Sequence, residues 1–228
     1  MKISIIGAGK VGSAIGFSLL HTIRMDELVL IDIVEDLVRG EIEDLNHAKV
    51  ALCPECMIHG GKDYALLKGS DIVIITAGKA RRQGDDITRE DLFEFNKKII
   101  GGICGEIKDK CTKAKIVILT NPATQIGEFV KKEIKNEIVV MDNQLDTARL
   151  KYYISEETGK KISEIKSFIS GTHGEDMKIN FLDEIPEGKK EIIKEKVFNA
   201  GRNVIEMKGY TCWGIASQVT EVVKGLIE

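Results

Sequence analysis

Only three of the 228 residues are proline, and aromatic residues make up 5% of the chain. So few aromatics leave little on which single-stranded nucleic acid could stack. Positive charge is not in excess either. Lys and Arg number 33 against 36 Asp and Glu, a formal net charge of −3, which lacks the basic face that phosphate backbones usually need. No apolar run approaches the roughly 20 residues of a membrane helix. The apolar N-terminus is broken by glycines and lacks a signal-peptide cleavage pattern. The five cysteines, Cys53, Cys56, Cys104, Cys111 and Cys212, are an odd-numbered set, unlike a secreted disulfide scaffold. Nucleic acid and membrane are therefore not expected as partners, and a cytoplasmic location is. Scarce proline beside abundant Ile, Lys and Glu is also the bias of thermophile proteins, where ion-pair networks cost less at high temperature.

What is present suffices for a sizeable core: 43% hydrophobic and 30% charged residues describe a folding chain rather than a disordered one. MKISIIG, ELVLIDI, DIVIITAG, AKIVILTNP and EIVVMD read as buried strands. KVGSAIGFSLLHTI and EDLVRGEIEDLNHA carry helical spacing, and Asp91–Cys111 reads as a further helix. Continuous apolar strands alternating with helices predict an α/β fold with a parallel sheet covered on both faces. After about Asn143 the pattern changes to a helix ending at Thr158, a short strand SFISG and two charged helical stretches. No strand is discernible between Met177 and Lys208. The expected boundaries are 1–142 for a dinucleotide-binding domain and 143–228 for a second domain.

The stretch ISIIGAGKVGSAIG places Gly7, Gly9 and Gly12 in the order G-x-G-x-x-G, after a strand and at the opening of a helix. That context lets a helix N-terminus face a pyrophosphate. Gly7 would allow the tight turn, Gly9 the approach of a cofactor, and Gly12 close packing of helix on strand. Ala8, Lys10 and Val11 complete the loop. Asp32 ends the second strand, where an acid reaches a ribose hydroxyl pair and would repel a 2′-phosphate. NAD is therefore expected over NADP.

Four later segments, TAGKARRQGDDITREDLFEFN, LTNP, NQLDTARLK and SGTHGEDM, occur in one order after this fingerprint. With them the chain resembles the lactate/malate dehydrogenase family over essentially its whole length, and is most similar to the lactate-dehydrogenase-like malate dehydrogenases of archaea. The resemblance implies a Rossmann-type doubly wound sheet followed by a shortened α+β substrate domain. It implies NAD as cofactor and a small dicarboxylic acid as substrate. It also implies a homodimer or homotetramer, because EDLNHA resembles the helix that packs against a neighbouring subunit. Oxidising a 2-hydroxy acid needs a proton acceptor, and imidazole suits that near neutral pH. The resemblance gives this role to His173, set between glycines, whereas His21, His47 and His59 have no such setting. Asp146 would orient His173. Arg149, three residues further along the same helix, would hold the substrate carboxylate by two parallel hydrogen bonds. In the family the segment KARRQGDDITRED folds over the substrate, Arg89 polarises the reacting carbonyl, and Arg81 reads the second carboxylate. Asn121, before a Pro that the family holds in cis, would bond the substrate oxygen. Thr76, Ala77, Gly78, Asn96, Leu119, Thr120 and Asn121 would line the cofactor cleft, with Thr211 on the substrate side.

Several features depart from the family pattern. The loop from Arg81 to Arg89 is slightly longer. KGYTCWGIA looks more like lactate enzymes than malate ones, which leaves L-lactate dehydrogenase as an alternative. The chain stops where relatives continue, which leaves a noncatalytic NAD-binding or assembly subunit as a third reading. CPEC, at Cys53 and Cys56, has the spacing of half a zinc site; without a second pair, a local thiol pair or disulfide is expected and no metal.

Overall fold

The computed structural model describes residues 1–80, 86–174 and 176–228. Short runs form the strands of the first sheet, all but the third rich in Ile and Val, whose branched side chains pack well on a pleated surface. These are β1 (Lys2–Ile6), β2 (Glu27–Ile31), β3 (Met57–Gly61), β4 (Ile72–Ile75), β5 (Lys115–Ile118) and β6 (Ile138–Val140). All pair in parallel, in the order β3-β2-β1-β4-β5-β6. Parallel neighbours need crossovers, which are supplied by α1 (Lys10–Thr22), α2 (Glu35–Leu52), α3 (Arg89–Lys110) and α4 (Ala123–Glu133). Ile100, Ile103 and Ile107 of α3 and Ile126 and Val130 of α4 bury against Ile6, Val73, Ile75, Ile116 and Ile118 of the sheet. Strand order reverses between β1 and β4, so the loops leaving their carboxyl ends diverge and open a crevice there.

Contacts divide the chain into two units, Met1–Met141 with Val219–Glu228, and Asp142–Gln218. The second contains α5 (Gln144–Thr158), β7 (Phe168–Ser170), β8 (Lys178–Asn180) and α6 (Glu187–Lys208). Its core is Leu150, Ile154, Ile169, Ile193 and Val197. Strands β7 and β8 form an antiparallel pair, and the chain before β7 is fastened by Asp183. That carboxylate accepts from Ser167 N at 2.8 Å, Ser167 Oγ at 2.6 Å, Lys166 N at 3.0 Å and Lys160 Nζ at 2.5 Å. These partners hold its carboxyl well below the usual carboxylate range, against a burial penalty that pushes it up.

The structure differs from the sequence reading in its strands and its last helix. A sixth parallel strand, β3, lies where no strand was read, and β8 lies in the segment that showed none. Helix α7 (Trp213–Ile227) begins in the second unit and ends in the first. There Thr220 Oγ1 donates to Ser18 Oγ at 2.8 Å and Lys115 Nζ to Leu226 O at 2.6 Å, so Val219–Glu228 do not cluster with the second unit. Of the two alternatives expected for Cys53 and Cys56, the structure has free thiols, both buried, rather than a disulfide. Among the described residues no helix is long and apolar enough to cross a membrane.

Candidate active site

The turn from β1 to α1 is so tight that two positions require glycine. Gly7 has a φ of 107°, a conformation side chains rarely adopt. A Cβ on Gly12 would lie 1.9 Å from the Gly7 carbonyl oxygen. Thr76 Oγ1, just past β4, donates to that carbonyl at 2.9 Å, and Ala77 N donates to Ile6 O at 2.9 Å. Ala8 is buried, Val11 half-buried, and Gly9 and Lys10 are exposed. Gly9 caps α1, yet no side chain bonds to that cap and the first turn carries no acid. The positive end of the helix dipole is thus not balanced by its own first turn, and a Cβ on Gly9 would meet nothing within 4 Å. An anion such as a pyrophosphate fits there. Asp32 closes the far side of the turn: its Oδ2 accepts from Ala8 N at 2.8 Å and its Oδ1 from Val34 N at 3.0 Å. Held so, the carboxylate suits a pair of ribose hydroxyls.

Further residues of the first unit gather at the exits of β4 and β5. Leu119 N donates to Ile75 O at 3.0 Å and Thr120 Oγ1 to Ala77 O at 2.7 Å. Gly78 and Asn121 are exposed, and the Asn121–Pro122 peptide is cis. Asn96 is wholly buried, and its amide bonds to the backbone of Lys79 and Asn121. Arg89 is exposed as the first residue of α3. Arg81 lies outside the described residues.

In the second unit the structure brings together His173, Asp146 and Arg149. Asp146, in the first turn of α5, is 2% exposed. It accepts from His173 Nδ1 at 2.5 Å through Oδ2 and from Arg149 Nη1 at 2.9 Å through Oδ1. His173 occupies the loop between β7 and β8, with its backbone N donating to Asp142 Oδ1 at 2.8 Å. The hydrogen bond to Asp146 raises the His173 pKa above its ordinary value; partial burial and the Arg149 charge oppose that rise, and the Asp142 charge adds to it. Such an imidazole has Nδ1 committed to a carboxylate, so protons exchange through Nε2. Asp142 was missed in the sequence; the only signal there is an acid closing EIVVMD, and its partner is a backbone N–H. Thr211 lies half-buried between α6 and α7.

A glycine turn of the kind that seats a dinucleotide, an acid closing the second strand, and a carboxylate-backed imidazole of the kind that can move protons are together the features of one class of protein, the dinucleotide-dependent oxidoreductases. Within that class the chain belongs to the lactate/malate dehydrogenase family, whose NAD-binding domain matches residues 1–142. Malate dehydrogenase of Archaeoglobus fulgidus is 37% identical to it, over 100% of this chain and 78% of that protein. L-lactate dehydrogenase 2 of Lactobacillus johnsonii is 32% identical, over 100% of this chain and 77% of that protein. The solved structure of the Archaeoglobus fulgidus malate dehydrogenase in complex with NADH superposes with a TM-score of 0.88 at 36% identity, covering 100% of this chain and 78% of that one.

Proposed function

We propose that this protein interconverts malate and oxaloacetate with NAD, the second unit supplying the proton-transferring pair and one carboxylate-binding arginine. Bound NAD supplies a hydride acceptor for oxidation and a donor for reduction. The observation that carries the reading is the chain of bonds from His173 through Asp146 to Arg149. In oxidation His173 Nε2 takes the hydroxyl proton as hydride leaves carbon 2, and in reduction it returns that proton. Asp146 holds the ring with Nδ1 protonated and stabilises the imidazolium that forms. Arg149 keeps one nitrogen on Asp146 and presents the rest of its planar fork to the substrate carboxylate. Arg89 stabilises charge developing on the reacting oxygen. Asn121 bonds that same oxygen. Arg81 pairs with the second carboxylate, which favours a dicarboxylic acid over a monocarboxylic one.

His173→Asn should leave NADH binding within about threefold of wild type and lower turnover by about 10³-fold or more. Wild-type turnover in that variant would remove the assignment. The relative from Lactobacillus johnsonii and the GYTCW segment support a second reading, lactate as substrate. Comparing kcat/KM for oxaloacetate and pyruvate decides between them, and a preference for pyruvate defeats the malate reading. Protein that binds NADH but reduces neither keto acid would be a noncatalytic relative.

A further inference from the structure

We propose that Asp142 is a positioning residue for His173, holding its main chain while Asp146 holds its ring. Asp142 stands just before α5, whose cap is Asn143. The side chains around this helix start face the chain that runs out of β7. Thr147 Oγ1 accepts from Ile169 N at 3.1 Å, and Asn143 Nδ2 donates to Gly171 O. Asp142 Oδ1 accepts from His173 N at 2.8 Å, and Asp146 Oδ2 accepts from His173 Nδ1 at 2.5 Å. Alternate residues 169, 171 and 173 are thus fastened from one side, as an extended chain permits.

The fastening matters because glycine flanks His173 on both sides. Gly171 has a φ of 86° and Gly174 one of 109°, and a Cβ on Gly171 would lie 2.1 Å from Asp176 O. Glycine is the residue with most freedom to lose on folding, so this loop takes its shape from its polar anchors. Neither bond to His173 is enough alone. A bond to its N–H leaves rotation about Cα–Cβ free, and a bond to Nδ1 leaves the loop free to swing about the ring. Anchored at both ends, the residue presents Nε2 from one place. Asp142 also brings charge. Its carboxylate favours the protonated ring in the same sense as the bond from Asp146, while Arg149 opposes both. Asp176, across the loop, accepts from Thr172 Oγ1 at 3.2 Å. The consequence for turnover rests on the reading that His173 moves the substrate proton. A general base displaced by about 1 Å can cost about 10²-fold in rate.

The test compares two variants of the full chain. Asp142→Asn keeps an acceptor for the His173 N–H but loses the charge, and Asp142→Ala loses both. Two readouts need no turnover: hydrogen exchange at the His173 amide, and NMR titration of its ring, identified by the signal missing from His173→Asn. Exchange should quicken about tenfold or more in Asp142→Ala and less than about threefold in Asp142→Asn. The ring should titrate at lower pH in both variants. On the alkaline plateau, kcat for malate oxidation should fall about tenfold or more in Asp142→Ala and only about threefold in Asp142→Asn. The NADH Kd should stay within about threefold of wild type in each. Unchanged amide exchange in Asp142→Ala overturns the proposal. So does a ring titration that stays in place in both variants, which would leave Asp142 a fastening of the loop alone. A Kd raised about tenfold with kcat intact also overturns it, being the signature of a cofactor contact. Should Asp142→Ala fail to fold by circular dichroism, the titration of Asp142→Asn decides, and failure of both variants to fold overturns the proposal. Wild-type protein that reduces neither keto acid, while exchange and titration respond as expected, would show that the dehydrogenase reading has failed and the positioning has not.

Discussion

Asp146 is 2% exposed, a placement tolerated for a carboxyl group only where partners replace the lost hydration. Its two oxygens are divided between an imidazole and a guanidinium, so its charge acts directly on the proton affinity of His173. The sign follows from the reaction. In the proposed reaction malate oxidation needs the neutral ring, so kcat/KM for malate should rise with pH through the pKa of His173 in the free enzyme. The hydrogen bond to Asp146 raises that pKa above its ordinary value, so the rise is displaced toward alkaline pH. In the folded protein the pair also adds stability that is present at low pH and is lost as pH climbs through the raised pKa. Asp146→Asn removes the charge and the tautomer preference together. It should lower kcat by about 10²–10⁴-fold and move the remaining acid limb to lower pH. Profiles of kcat/KM against pH for the two proteins test this, and a limb that stays in place or moves up would show that the carboxylate does not tune His173.

At the scale of elements, α3 begins with a contradiction. Thr88 and Asp91 form a capping box, with Asp91 N donating to Thr88 Oγ1 at 3.0 Å and Thr88 N to Asp91 Oδ2 at 3.1 Å. Glu90 and Asp91 complement the positive end of the helix, yet the first helical residue is the cation Arg89, where a positive charge is disfavoured by about 0.3–1 kcal/mol. In the proposed site this cation faces the charge that develops on the reacting oxygen. Arg89→Gln should therefore lower kcat/KM for oxaloacetate by about 10²-fold or more and leave Tm unchanged or raise it by about 1–3 °C. A Tm lowered by several degrees would mean that the cation holds the helix rather than the substrate. The same capping box explains a boundary that the sequence reading set too late: apolar spacing alone begins the helix at Asp91, but the Thr-x-x-Asp signal at Thr88 is local and readable. Strands dense in Ile and Val were legible because their apolar pattern is intrinsic. Strand β3 was not, because MIHGG owes its glycines to a neighbour. A Cβ on Gly60 would sit 1.9 Å from Leu30 O, a demand set by tertiary approach and written nowhere in the segment itself. Asp146 and Arg149 were legible as an i, i+3 pair joined to a family motif. Asp142 was not, since its partner is the backbone of a loop whose course depends on the β7–β8 pairing.

For the whole molecule, the first 142 residues match the NAD-binding domain of the family, and the uncapped α1 turn and Asp32 lie within them. A ligand that binds only the folded state stabilises it by mass action, so NADH at about 100 times its Kd should add about 2.7 kcal/mol. For a chain of this size that corresponds to a rise in Tm of about 5–10 °C. NADPH at the same concentration should give a smaller rise, because its 2′-phosphate meets the carboxylate that Ala8 N and Val34 N hold at the end of β2. Asp32→Ser should narrow the gap between the two cofactors without abolishing the response to NADH, since the helix N-terminus proposed to face the pyrophosphate is untouched. Thermal melts of wild type and variant with each cofactor provide the measurement. Equal shifts for NADH and NADPH in the wild type would mean that Asp32 does not face the ribose. A loss of both shifts in the variant would mean that its carboxylate holds the glycine turn itself in shape through Ala8 N, and that cofactor selection lies elsewhere.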